Sequence, residues 1–226
     1  MLWYKGWLET RFRVAFVFAA VAFGLITESH GGGMVDPRAV IFTAGVSVWA
    51  LCLFLAAAGI VTQQSFQSVK GLHGSTLFTL TLPVGRFRLL AVRAGLGWLE
   101  MAAGVGWICC LLWFLLPVIR DRTTPREIVA YAAVLIVCGS AFYCITVLLS
   151  TFLDDMWRVW GSLLCYSAIR WLSFKLPASV NICRAMMGDG SPVLAHTIPW
   201  MPMAFALGLA AVLLFAAFKV VQHREY

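Results

Sequence analysis

Six long apolar stretches, separated by polar breaks of unequal length, run along the chain at about Thr10–Ser29, Ala39–Thr62, Ala94–Ile119, Ile128–Phe152, Val159–Leu176 and Ile198–Phe218. Each is close to the roughly 20 residues that a helix needs to cross about 30 Å of hydrocarbon. Lipid offers no hydrogen bonds to an open backbone, so the pattern predicts helices rather than strands. The expected fold is an all-α integral membrane protein, one transmembrane domain over 1–226 with six transmembrane helices.

The start of the chain, "MLWYKGWLETRFRV", is amphipathic. Trp3, Trp7 and Leu8 suit lipid, and Lys5, Glu9, Arg11 and Arg13 suit headgroups, which predicts an N-terminal interfacial helix over 1–12. A longer first helix with snorkelling arginines is the alternative. No basic start, apolar core and small-residue cleavage site follow one another here, so a cleavable signal is not expected.

Composition strengthens the membrane assignment. The 226 residues are 62% hydrophobic and 12% charged, against about 45–50% and about 25% in soluble domains. Charge then suggests an orientation, because Lys and Arg accumulate on the cytoplasmic side. With the N-terminus inside, ten basic residues fall inside: Lys5, Arg11, Arg13, Lys70, Arg86, Arg88, Arg93, Arg158, Lys219 and Arg224. Outside fall Arg38, Arg120, Arg122, Arg126, Lys175 and Arg184. Both termini are expected in the cytoplasm. The net charge of +7 suits the anionic headgroups of membrane lipids and gives no ground for a nucleic-acid partner.

Candidate chemistry is sparse. Of seven cysteines, six lie in apolar stretches, and Cys183 falls in the expected outer loop over 177–197, where a short helix is predicted for 178–187. No CxxC pair occurs, and the histidines are scattered, so neither a disulfide framework nor a metal site is expected. There is no GxxxxGK[ST] phosphate loop, HExxH helix or GxSxG turn. Ionisable residues inside spans are costly and are functional candidates. Glu100 in "GLGWLEMAAGVG" shares a helix face with Gly97 and Gly104, which fits either a translocation path or a tight packing groove. Arg170 in "CYSAIRWLSF" has Tyr166, Ser167 and Ser173 on its side. That stripe fits a polar path, or an arginine reaching the outer surface.

The longest polar break, 63–92, falls on the cytoplasmic side. Helix–helix connections usually take two to eight residues, so this length suggests a segment that meets something in the cytoplasm. Its apolar set is Phe66, Val69, Leu72, Leu77, Leu80 and Leu82, at helix-like spacing. Pro83 then breaks the pattern, and Arg86, Arg88 and Arg93 mark the return to the membrane.

Gly74 stands nine residues before "PVGR", Pro83 to Arg86. This arrangement, in the loop between the second and third spans, resembles the membrane subunits of type-2 ABC transporters. The amphipathic start, six spans, cytoplasmic termini and longer outer segment before the sixth span resemble the same subunits. The resemblance implies a coupling helix within 64–82, with Phe66, Lys70, Leu72, Gly74, Leu77, Leu80, Pro83 and Arg86 at the contact with a separate ABC ATPase subunit. It also implies a second permease copy or similar subunit, ATP and magnesium bound by the partner ATPase, no cofactor on this chain, and export across a bacterial cytoplasmic membrane. Lys70 and His73 stand where the family often carries acidic residues. The competing expectations are an ATP-independent secondary transporter, for which broken helices and repeated halves are missing, and a membrane-complex assembly protein. An enzyme is not expected.

Overall fold

The computed structural model describes residues 2–30, 36–57, 86–153 and 155–223, and these are helical with short connections and no strand. The helices are α1 (Leu2–His30), α2 (Pro37–Ala57), α3 (Arg86–Leu115), α4 (Pro117–Arg120), α5 (Pro125–Leu149), α6 (Asp155–Ser173), α7 (Ile182–Met187), α8 (Pro192–Ala195) and α9 (Trp200–His223).

Proline sets several of the starts. Pro37, Pro117, Pro125 and Pro192 each open a helix, where the missing N–H costs nothing and the fixed φ is already helical. Pro117 also ends α3, because the residue before a proline is driven out of the helical region; Leu116 is extended at φ −114°, ψ 92°. Asp36 caps α2, accepting from the Arg38 N–H at 3.0 Å. Thr124 and Glu127 form a reciprocal capping box on α5, which satisfies two end donors at once.

Four helices among the described residues are long and apolar enough to cross a membrane: Pro37–Ala56, Leu90–Leu115, Pro125–Leu149 and Trp200–Gln222. The remaining two expected spans differ from the pattern. α1 is one continuous helix of 29 residues, so the interfacial helix expected over 1–12 does not stand apart; no proline interrupts it. Its apolar part is Val14–Thr27. α6 has 19 residues and includes Arg158 and Arg170, which hold its hydropathy down.

α5 is the axis of the bundle. It packs against α2, α3, α6 and, most extensively, α9. Its residues from Cys138 to Val147 are buried without interruption, unlike the single apolar stripe of a surface helix. Side-chain contacts give the helix directions. The Cβ positions of Gly97 and Gly104 on α3 fall against Leu55 and Leu51 of α2, so those two helices are antiparallel. The end of α2 therefore lies beside the start of α3, here called the near end. Tyr131 reaches Ile41 and Gly139 reaches Val48, so α5 runs parallel to α2. α7 and α8 sit at the opposite, far end, where Tyr131 donates to the Met186 carbonyl at 2.9 Å.

Candidate functional site

The bundle interior holds the polar positions singled out above. Glu100 is 5% exposed. The glycines on its face are contact points. A Cβ on Gly97 would lie 2.6 Å from the Tyr143 hydroxyl and 3.2 Å from the Leu55 carbonyl; one on Gly104 would lie 2.8 Å from Leu51. Small residues let backbones approach in this way within membranes. The closeness is used by Tyr143, which donates to the Ala94 carbonyl at 2.7 Å. One turn on, Trp98 Nε1 donates to Ser140 at 2.8 Å, and Ser140 donates to the Ile136 carbonyl at 2.7 Å. Glu100 thus stands on a tightly packed α3–α5 seam rich in hydrogen bonds.

Tyr166 is fully buried in an aromatic cluster rather than facing an opening. Its ring lies 5.0 Å from Phe142, edge-on, and 5.6 Å from Trp49. Its hydroxyl donates to the Phe142 carbonyl at 2.8 Å and pairs with Thr146. One turn earlier Ser162 is buried, and among the described residues neither its Oγ nor Trp49 Nε1 has a hydrogen-bond partner. Arg170 is at the far end of α6. Its guanidinium lies over the rings of Phe42 and Phe174, 5.7 and 5.0 Å from their centroids, and Ser173 donates to its carbonyl at 2.6 Å. Tyr166 and Arg170 therefore share α6 but serve different neighbourhoods, and Glu100 lies on α3.

The far end is more built than a loop. Asn181 starts α7, accepting from the Arg184 N–H at 2.8 Å and donating to the Ser173 carbonyl at 2.6 Å. Met187 then packs directly on Gly45 of α2, where a Cβ would collide with it. Cys183, expected in an exposed outer loop, is instead fully buried. Burial pushes its thiol up to about 11, because desolvation penalises the thiolate. His196 closes α8 in a left-handed conformation, φ 54°, and its Nδ1 lies 2.7 Å from Glu127 Oε1. Arg38 and Asp189 form an exposed ion pair at 3.4 Å.

Of the expected ATPase-contact residues, Phe66, Lys70, Leu72, Gly74, Leu77, Leu80 and Pro83 lie outside the described residues, and Arg86 opens α3. No group of histidine, cysteine or carboxylate side chains among the described residues could hold a metal ion. Tyr131 and Tyr143, whose hydroxyls tie helices together, were not singled out by sequence. A lone tyrosine inside an apolar stretch carries no partner signal. The His196–Glu127 contact links residues 69 positions apart and had no sequence signal either. The capping box did, as "TPRE". No protein-family model, curated protein or solved structure matches the chain.

Proposed function

We propose that the chain is the membrane-spanning subunit of a type-2 ABC transporter, an exporter of the bacterial cytoplasmic membrane that works with a separate ATPase subunit. The observation that carries the reading is Gly74 nine residues before Pro83-Val84-Gly85-Arg86, between α2 and α3. The antiparallel packing of α2 on α3 supports it, because both ends of the 58–85 segment then belong to one end of the bundle, as a coupling element requires. α1 and α6 run alongside the four apolar helices and alternate in direction with them. That favours six crossings with both termini on the near side, the cytoplasmic side by charge.

In this reading Phe66, Lys70, Leu72, Gly74, Leu77, Leu80, Pro83 and Arg86 meet the ATPase, which binds ATP and magnesium. A second permease copy completes the path, and Glu100 and Arg170 are its polar positions. The absence of any phosphate-binding loop in the sequence fits a chain that borrows its ATPase. The test is mass analysis of complexes extracted from native membranes. An ATPase chain should accompany this one, and its hydrolysis should rise in the complex. Extraction of the chain intact without any ATPase, under conditions that preserve other transporter complexes, would sink the proposal.

A further inference from the structure

Between α6 and α9 the chain covers the far end of the bundle as α7 and α8, and its fastenings differ in chemistry. At α7, Tyr131 donates to the Met186 carbonyl at 2.9 Å and Asn181 donates to the Ser173 carbonyl at 2.6 Å. Between α7 and α8, Arg38 pairs with Asp189 at 3.4 Å. At the end of α8, His196 Nδ1 lies 2.7 Å from Glu127 Oε1 of α5. Histidine is the side chain that ordinarily changes charge between about pH 5 and 8. The α7 fastenings and the arginine–carboxylate pair keep their charge over that range, so the α8 fastening is the one that responds.

Both partners are held in place. Glu127 Oε2 accepts from the Thr124 N–H at 2.7 Å, so the capping box fixes the carboxylate. The His196 N–H bonds to the Pro192 carbonyl at 3.1 Å, and the residue is left-handed at φ 54°, a region that histidine enters more readily than most residues. An ionised carboxylate only accepts, so Nδ1 carries a proton throughout. On the alkaline side the contact is a neutral imidazole donating to a carboxylate. On the acid side it joins imidazolium to carboxylate, and ionised partners make the stronger hydrogen bond.

The charged residues of the neighbouring elements form a constant background. Arg120 is turned to Asp121 at 3.8 Å, and Asp189 is turned to Arg38. Arg122, Arg126 and Arg184 are exposed, and α8 and the first turn of α9 carry no charged residue. Guanidinium groups stay charged at any ordinary pH. We propose that the His196–Glu127 contact is a pH-responsive latch, which fastens the α8 corner to the start of α5 when the medium at the far end is mildly acidic and relaxes it when that medium is alkaline, while α7 stays docked at both. The latch belongs to the fold and stands whether or not the chain partners an ATPase.

The test is hydrogen exchange on the full chain in nanodiscs at about pH 8 and about pH 5.5, either side of the ordinary histidine range, with rates corrected for the intrinsic pH dependence of exchange. The reporters are the amides of Leu194, Ala195 and His196, which bond within α8, and those of 184–187 in α7. In the wild type, α8 protection should rise about two- to fivefold at the acid pH, the strength of an exposed ion pair, and α7 protection should stay level. His196→Asn, which tolerates the left-handed conformation, should leave α8 equally protected at both pH values. Should that variant fail to fold, Glu127→Gln keeps a residue type that completes the capping box and should abolish the response in the same way. Equal α8 protection at the two pH values in the wild type would overturn the proposal. So would a response that survives either substitution, or an equal response in α7.

Discussion

The Tyr143 hydroxyl donates to the Ala94 carbonyl at 2.7 Å, so α5 is bonded to the backbone of α3 one turn before Gly97. Gly97 makes the approach possible, because any Cβ there meets both that hydroxyl and the Leu55 carbonyl of α2. Three helices converge on a single glycine. Gly97→Ala is therefore expected to destabilise the bundle by about 1–3 kcal/mol, the usual cost of overpacking. Gly106→Ala serves as the control, since nothing lies within 4 Å of its added Cβ. That variant should be neutral or slightly stabilising, because alanine favours helix over glycine. Thermal unfolding of both in one detergent or bilayer checks the pair, and equal losses would remove the close approach as the cause.

Glu100 stands one turn after Gly97 and is buried. Glu100→Gln keeps the size and much of the hydrogen-bonding shape while removing the titratable carboxyl, so the bundle should fold and insert normally. If the carboxylate belongs to a transport path, transport or its coupling to ATP should change. Transport in vesicles across a wide pH range checks this, with normal rates throughout assigning Glu100 to packing alone.

Cys183 provides a test at the far end. It is fully buried, and its thiol is pushed from 9.0 up to about 11. Two pKa units leave about a hundredfold less thiolate at neutral pH than an unshifted thiol would carry, and the thiolate is the reactive form. A maleimide added from outside should therefore leave Cys183 unmodified in the folded protein and modify it after denaturation. Raising the pH toward 11 increases the thiolate, so residual labelling should climb with pH. Rapid labelling at neutral pH would place α7 in an open loop instead of against α2.

The apolar helices were legible because their signal is local and additive. Long apolar runs identify α2, α3, α5 and α9 with no knowledge of their neighbours. The runs in α1 and α6 were harder, because charged residues share those helices. Arg158 and Arg170 lower the hydropathy of α6, and only the packed bundle shows where each guanidinium goes. The face shared by Gly97, Glu100 and Gly104 was visible from helical spacing, while its partners, Tyr143, Leu55 and Leu51, come from other parts of the chain. The far end shows the same division. The Thr124–Glu127 box is written within four residues, but the contact of Glu127 with His196 depends on how α8 folds back. Cys183 looked exposed because loop composition predicts surface, whereas tertiary packing against Gly45 and Tyr131 draws α7 inward.

The 58–85 segment lies outside the described residues, and its role is best tested there directly. In the proposed coupling helix, Leu72, Leu77 and Leu80 supply the apolar face that enters the ATPase cleft. Burying one such leucine is worth about 1.5–3 kcal/mol, and a few contacts of this kind dominate an interface. A carboxylate at the same place is worse than truncation, since it is desolvated without a partner. Leu77→Asp should still insert into the membrane, because it alters none of the spans. It should either lose the ATPase subunit or retain it with hydrolysis no longer driving transport. Co-purification of the ATPase, followed by transport in vesicles, distinguishes those two outcomes. If Leu77→Asp leaves both assembly and transport intact, the segment is a connector, and the sequence ground for an ATP-driven permease is removed.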